Sequence, residues 1–107
     1  FDLNPSVISI ASEKIVIPYY SRVKNRMARY YVDLIIKYRN KDGEIKIKLI
    51  EIKSSSETME PKKPKRLTEN YKQAVCTYLT NIDKWTEAKL YAEKRGWSFA
   101  VITEKDL

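Results

Sequence analysis

The sequence predicts one α/β domain with a central mixed β-sheet flanked by helices. Its 107 residues suffice for a single domain with a modest hydrophobic core. Only 2 glycines and 4 prolines are present, which argues against disorder or a loop-rich scaffold. Apolar strand-like runs fill the first half of the chain, amphipathic runs follow from Thr68, and another apolar run lies near the C-terminus. A strand that follows helices can pair in parallel with its neighbour, so we expect a mixed sheet.

The strongest strand signal is the stretch Tyr30–Ser54, which predicts a long β-hairpin. Its first half, Tyr30–Tyr38, is apolar on both faces apart from two charged positions, as is typical of a central strand covered by helices. Its second half, Glu44–Lys53, begins with strict alternation of apolar and charged residues and becomes apolar towards its end. Acids and lysines inside such strands are unusual, so they are candidate functional residues.

The loop of this hairpin decides which side chains meet. A three-residue loop, Lys41–Gly43, with Gly43 in the left-handed conformation would place Asp33 opposite Glu51 and on the same face as Lys53. A two-residue turn would instead direct Asp33 to the other face of the sheet. A site that uses all three residues therefore requires the longer loop, or another loop of odd length.

The segments before the hairpin predict shorter elements. Phe1–Ser12 contains a short apolar segment. Lys14–Tyr20 is interpreted as a short strand stopped by Pro18, because proline lacks the N–H that a strand donates. Ser21–Arg29 is basic without any acid and is interpreted as a loop.

Two helices and a third strand are predicted after the hairpin. Thr68–Thr80 has apolar residues at helical spacing. A second helix is expected to be capped by Asn81 or Asp83 and to end at Gly96. The apolar run Trp97–Thr103 completes the predicted sheet.

The composition excludes several kinds of catalysis. The chain has no histidine, so Ser-His-Asp, Cys-His and His-zinc chemistries are absent. Its single cysteine, Cys76, cannot form an internal disulfide, which favours a reducing compartment and a role in the core. Any metal must then be a hard cation held by oxygen ligands.

The net charge of +7 predicts a polyanionic partner, nucleic acid first and an acidic membrane second. No apolar run approaches membrane length and no signal peptide is present, so we expect no membrane partner. Two basic stretches could contact DNA phosphates, or could simply be solvated loop and connector. Their candidate residues are Arg22, Lys24, Arg26, Arg29, Lys62, Lys63, Lys65 and Arg66.

Phosphodiester hydrolysis needs a positioned water and neutralised phosphate oxygens, and the hairpin contains suitable groups. Asp33, Glu51 and the backbone carbonyl of Ile52 are candidate ligands for Mg²⁺, with Mn²⁺ as a substitute. Lys53 could orient or deprotonate the attacking water and stabilise charge. The alternative is a structural ion pair between Lys53 and Glu51.

At these residues the chain resembles the PD-(D/E)XK nuclease superfamily, whose core is restriction-endonuclease-like. A closer resemblance covers most of the chain. The segments SEKIVIPYY, RYYVDLIIKY, LIEIKSS and TNIDKWTEAKLYAEKRGWSFAVITEKDL are similar, in this order, to the head-completion nucleases of T4-like tailed phages, which have a TnsA-like endonuclease fold. In this resemblance Asp33 and Glu51 match the two acids of the motif and Lys53 its lysine. Val32 stands where the signature proline usually is.

The resemblance implies a Mg²⁺-dependent deoxyribonuclease in phage head completion and head–tail joining. DNA and head or neck proteins would be its partners, without a small-molecule cofactor, in the cytoplasm of the infected host or with the virion. The superfamily usually has a glutamate on a helix before the first strand. We expect that helix to precede Phe1, and Glu13 is the nearest substitute as a metal ligand. The alternatives are a non-catalytic DNA-binding module or a structural neck module on the same fold.

Overall fold

The computed structural model describes residues 7–12 and 15–106. Two short 3-10 helices, Ser55–Thr58 and Glu104–Asp106, lie outside the main elements. The main elements are β1 (Val7–Ser12), β2 (Val16–Ser21), β3 (Arg26–Tyr31), β4 (Leu34–Arg39), β5 (Ile45–Ile52), α1 (Glu69–Lys94) and β6 (Ser98–Ile102).

Four of the strands form a mixed sheet, as predicted. Their order is β1-β4-β5-β6, with β5 and β6 parallel and the other two pairs antiparallel. Strands β2 and β3 form a separate antiparallel ribbon. The helix α1 packs against β2, β5 and β6, so ribbon and sheet share one core. No helix in the described part of the chain combines the length and apolar character needed to cross a membrane.

The hairpin of β4 and β5 has the register that the three-residue loop predicts. Leu34 pairs with Ile50, and the backbone N–H of Asn40 donates to the carbonyl of Glu44 at 2.8 Å. Gly43 closes the loop with φ +82°, the left-handed conformation that favours glycine. Continued by one residue, this register places Asp33 opposite Glu51.

The long first strand predicted over Tyr30–Tyr38 is instead two strands. β3 ends at Tyr31 and pairs with β2, whereas β4 begins at Leu34 and pairs with β5. Val32, which is fully buried and donates its N–H to the carbonyl of Ile15 at 3.2 Å, lies where the chain changes partner. Asp33 is therefore in a break between strands and not within one.

Two further boundaries differ from prediction because β2 and β3 form a ribbon of their own. The basic stretch is not all loop, because Arg26–Tyr31 forms β3. Pro18 does not stop β2, which continues to Ser21. A two-stranded ribbon has an open edge on each strand, where a missing N–H leaves no partner unsatisfied.

One continuous helix replaces the two that were predicted. Thr68 caps α1, accepting a hydrogen bond from the N–H of Tyr71 at 3.1 Å, and no glycine or proline interrupts the next 26 residues. Asn81 and Asp83 lie inside the helix, where Asn81 is buried and Asp83 binds Arg22. Their preference for a cap is overridden by these tertiary environments.

The core lies between α1, the ribbon and the sheet. After α1 the chain leaves the helical conformation at Gly96, which has φ +73°, as predicted. Cys76 is exposed, so the prediction that it belongs to the core is wrong. The buried residues of α1 are Asn81, Ala88 and Ala92, from the middle of the helix onward, whereas Cys76 lies nearer its N-terminus. The buried apolar residues that join the three parts are Ile17, Tyr19, Tyr30, Val32, Leu49, Ala88 and Ala92.

Candidate active site

Asp33 and Glu51 meet at the end of β5, beside the core. Glu51 is the seventh residue of β5 and is only 4% exposed, while Asp33 is half-buried. The backbone N–H of Ile52 donates to Oδ2 of Asp33 at 3.0 Å. This bond ties the break before β4 to the adjacent strand, so the orientation of Asp33 is fixed by the hairpin register.

Lys53 completes the predicted group. Its Nζ lies 4.0 Å from Oε1 of Glu51 and 3.7 Å from Oε2 of Glu57. Its backbone N–H donates to the carbonyl of Ile102 at 3.0 Å, which continues the pairing of β5 with β6 by one residue. The convergence of the three side chains is confirmed, and Glu57, from the following 3-10 helix, is an unpredicted neighbour.

The two carboxylates have opposite pKa shifts. Burial, followed by the hydrogen bond and negative charge of Asp33, raises the pKa of Glu51 to about 7, although Lys53 and Trp85 act in the other direction. Burial would raise the pKa of Asp33, but hydrogen bonds from Glu51 and Ile52 and the positive charge of Lys53 lower it overall. The metal-free pair therefore takes up a proton near neutral pH.

Two aromatic residues bring buried polar groups to Glu51, which the sequence did not predict. The hydroxyl of Tyr30 and the indole N–H of Trp85 are buried, and neither makes a hydrogen bond of normal geometry within the described residues. Both groups still act on Glu51, since Trp85 lowers the pKa of that carboxyl and the charge of Glu51, after burial, raises the pKa of Tyr30. Helical spacing identified Trp85 as inward-facing but did not reveal what its N–H meets.

Lys84 of α1 also lies at this site and was not predicted. Its Nζ is 5.8 Å from the ring centroid of Tyr30. Burial lowers the pKa of Lys84, and the charges of Lys53, Glu51, Lys24 and Asp33 all act on it. The sequence did contain a signal, because Lys84 precedes the inward-facing Ala88 by four residues and so lies on the same helix face.

The basic residues predicted to bind DNA are not equivalent. In the ribbon, Lys24, Arg26 and Arg29 are exposed. Arg22 is held by Asp83, with Nε at 2.7 Å from Oδ1 and its backbone N–H donating to Oδ2 at 3.0 Å. In the later loop, Lys62, Lys63, Lys65 and Arg66 are exposed and make no ion pair within the described chain. Their contacts with DNA stay predictions.

The available donors fit a hard divalent cation, since Asp33 and Glu51 present carboxylate oxygens in one place. No three His, Cys, Asp or Glu residues of the described chain converge as a metal-binding group. A cation held here would take its other ligands from the backbone, where Ile52 stays the predicted donor, and from water or phosphate. Glu13, the predicted substitute ligand, lies outside the described residues.

Comparison with known proteins shows the class to which this domain belongs. Residues 4–104 match the family model described as TnsA-like endonuclease N terminal, so the chain belongs to this family. The predicted restriction-endonuclease-like core is thereby confirmed. The head completion nuclease of Enterobacteria phage T4 is 37% identical over 110 residues, which cover 99% of this chain and 71% of that protein. The predicted resemblance is thus confirmed. No solved structure gives a significant match.

Proposed function

We propose that this protein is a Mg²⁺-dependent deoxyribonuclease that hydrolyses phosphodiester bonds. The observation that carries the proposal is the convergence of Asp33, Glu51 and Lys53 at the end of β5 in a member of an endonuclease family. The net charge of +7 supports DNA as the substrate, because a basic surface attracts a polyanion.

In the proposed mechanism Asp33 and Glu51 hold the metal. The bound metal would supply Lewis-acid stabilisation of the phosphate and a more acidic water. The Ile52 N–H keeps Asp33 ionised and oriented, and the surrounding aromatic side chains exclude water from Glu51. Metal binding requires Glu51 to lose its proton, which explains why an acid with a raised pKa can still act as a ligand.

Lys53 is the proposed group beside the attacking water. Its side chain is 28% exposed, so it lies at the border between the acid pair and solvent. Glu51 and Glu57 hold it between them at 4.0 and 3.7 Å. From this position it can donate a hydrogen bond to the water or to a phosphate oxygen and stabilise the charge that develops there.

The biological role that we propose is phage head completion and head–tail joining. It rests on the similarity to the T4 head completion nuclease, which covers 99% of this chain. DNA in the infected host cell would be the substrate, and head or neck proteins would be partners. The exposed basic residues of the ribbon and of the loop Lys62–Arg66 would contact DNA phosphates rather than bases.

A cleavage assay on supercoiled and linear DNA tests the enzyme and the site together. Wild type is expected to cleave with Mg²⁺ or Mn²⁺ and to be inactive in EDTA. Asp33→Ala and Lys53→Ala are each expected to reduce the rate at least about 100-fold, since each removes a charged group from the reacting centre. Lys46→Ala, which replaces an exposed lysine of β5, is the matched control and should cleave as wild type does. Metal-dependent cleavage that survives both site substitutions would reject the assignment.

One observation favours a second candidate, a non-catalytic DNA-binding module. Only two acids converge in the described chain, and one of them takes up a proton near neutral pH. This candidate predicts salt-sensitive DNA binding without cleavage in any divalent metal. A structural neck module, by contrast, predicts no DNA binding.

A further inference from the structure

The helix brings to the acid pair a cation that the proposed mechanism does not use. Lys84 is half-buried, and its Nζ lies 5.8 Å from the ring centroid of Tyr30; the charge of Glu51 acts on both residues. Lys84 therefore borders the site from the helix side, whereas Lys53 borders it from β5.

Lys84 differs from Lys53 in having no direct carboxylate partner. Lys53 lies within 4.0 Å of oxygens from two acids, but Lys84 makes no ion pair of that length with any described residue. Its cation–π contact with Tyr30 offsets only part of the cost of removing an ammonium from water. A structural ion pair thus does not account for its position.

A second lysine approaches from the ribbon. Lys24 lies in the turn between β2 and β3 and donates its N–H to the hydroxyl of the fully buried Ser21 at 3.1 Å. The same turn is joined to α1 by the bond between Arg22 and Asp83, the residue just before Lys84. Because this bond holds the turn against α1, Lys24 lies near Lys84, and its charge contributes to the lowered pKa of Lys84.

We propose that Lys84 and Lys24 form a phosphate-binding subsite of the candidate active site. Lys84 binds a non-bridging oxygen of the phosphate that a cation at Asp33 and Glu51 would hold, and Lys24 binds the adjacent phosphate of the same strand. This assignment rests on the proposed function, because the anion is a DNA phosphodiester. Two ammonium groups held near each other repel, and the negative charges of the bound phosphates offset that repulsion. The subsite would guide the DNA strand between the ribbon and α1.

Salt-dependent DNA binding tests the subsite without requiring cleavage. All variants carry Asp33→Asn, which stops cleavage and retains an oxygen to accept from the Ile52 N–H. Affinity for a short duplex is measured across a salt series for Lys84→Ala, Lys84→Arg and Lys89→Ala, the last being an exposed lysine of the same helix. Lys84→Ala is expected to weaken binding about tenfold at low salt and to reduce the slope against log salt by about 1. Lys84→Arg should restore both values, and Lys89→Ala should change neither.

The possible results separate the subsite from the enzyme. Equal affinity and slope for Lys84→Ala and its parent would overturn the subsite, even if the wild-type protein cleaves DNA. A loss that arginine does not restore, accompanied by a lower melting temperature, would show a packing role and overturn it too. If the variants show the expected dependence on Lys84 but the wild-type protein does not cleave DNA, the subsite is supported and only the nuclease is rejected. The absence of salt-dependent DNA binding in both the parent and the wild-type protein would reject both.

Discussion

Glu51 combines two properties that conflict in the metal-free protein. It is 4% exposed, and it lies against a second carboxylate that has a lowered pKa. A pKa of about 7 is the physical result, because burial and repulsion both favour the neutral acid. A divalent cation would reverse this preference by replacing the proton with two positive charges.

Metal affinity should consequently depend on pH. Below about pH 7 a cation must displace the proton of Glu51, so we expect affinity to fall about tenfold for each pH unit. Above that pH the affinity should level off. Titration of Mn²⁺ into the protein between pH 5.5 and 8.5 measures this directly. A flat affinity below pH 7 would contradict the role of Glu51 as a ligand, and Asp42→Asn, in the hairpin loop, is a suitable control.

The stability of the metal-free protein should also depend on pH through the titration of Glu51. The folded pKa of Glu51 is raised from 4.5, so its stabilising contribution is present below about pH 4.5 and is lost as the pH rises to 7. Glu51→Gln mimics the neutral acid and should stabilise the metal-free protein at pH 8. The gain is at most on the order of 3 kcal/mol, because one pKa unit corresponds to about 1.4 kcal/mol.

Urea unfolding of Glu51→Gln and wild type at pH 5 and pH 8 checks this prediction. The difference in free energy of unfolding should be small at the lower pH and larger at the higher one. Equal differences at the two pH values would show that titration of Glu51 does not contribute to stability.

At the scale of elements, the junction between ribbon and helix depends on Asp83. The side chain of Asp83 is 12% exposed, and its carboxylate accepts hydrogen bonds from both the guanidinium and the backbone N–H of Arg22. Asp83→Ala removes both bonds and should lower the free energy of unfolding by about 1–2 kcal/mol, near the range for charge-assisted hydrogen bonds. Denaturant unfolding gives the value.

Arg22→Ala is the matched comparison for this junction. Its side chain is 54% exposed, and the alanine variant retains the backbone N–H that donates to Asp83. It should therefore cost less than 1 kcal/mol, as exposed ion pairs do. If Arg22→Ala were as destabilising as Asp83→Ala, the backbone bond would not be the main contribution.

For the whole molecule, DNA affinity should reflect which basic residues are free. The cluster Lys62, Lys63, Lys65 and Arg66 is exposed and forms no ion pair with any residue that the structure describes. Replacing all four by alanine should reduce the slope of log affinity against log salt by up to about 3–4, since each phosphate contact contributes about 0.9. Arg22→Ala should change the slope by less than one unit, because Asp83 already neutralises that guanidinium. An unchanged slope in the fourfold variant would show that this loop is a connector that does not contact DNA phosphates.

The break between β3 and β4 shows where prediction from sequence stopped. Tyr30–Tyr38 has one uninterrupted strand pattern, yet its two halves pair with different partners. Periodicity reports which faces are apolar, but it does not report which strand lies alongside. The same limitation applies to Asn81 and Asp83, whose preference for helix caps was overridden by tertiary contacts inside α1.

The sequence by itself limited the hairpin to two arrangements of its faces and showed that only a loop of odd length lets Asp33, Glu51 and Lys53 meet, which is the loop that the structure has. This was possible because the loop length and the alternation of side chains are local properties, and a change of one residue would reverse the faces. Only the tertiary structure decided that Tyr30, Trp85 and Lys84 surround the acid pair and that the pKa of Glu51 is raised. Those features depend on how a ribbon and a helix, distant in the chain, exclude water from one carboxylate.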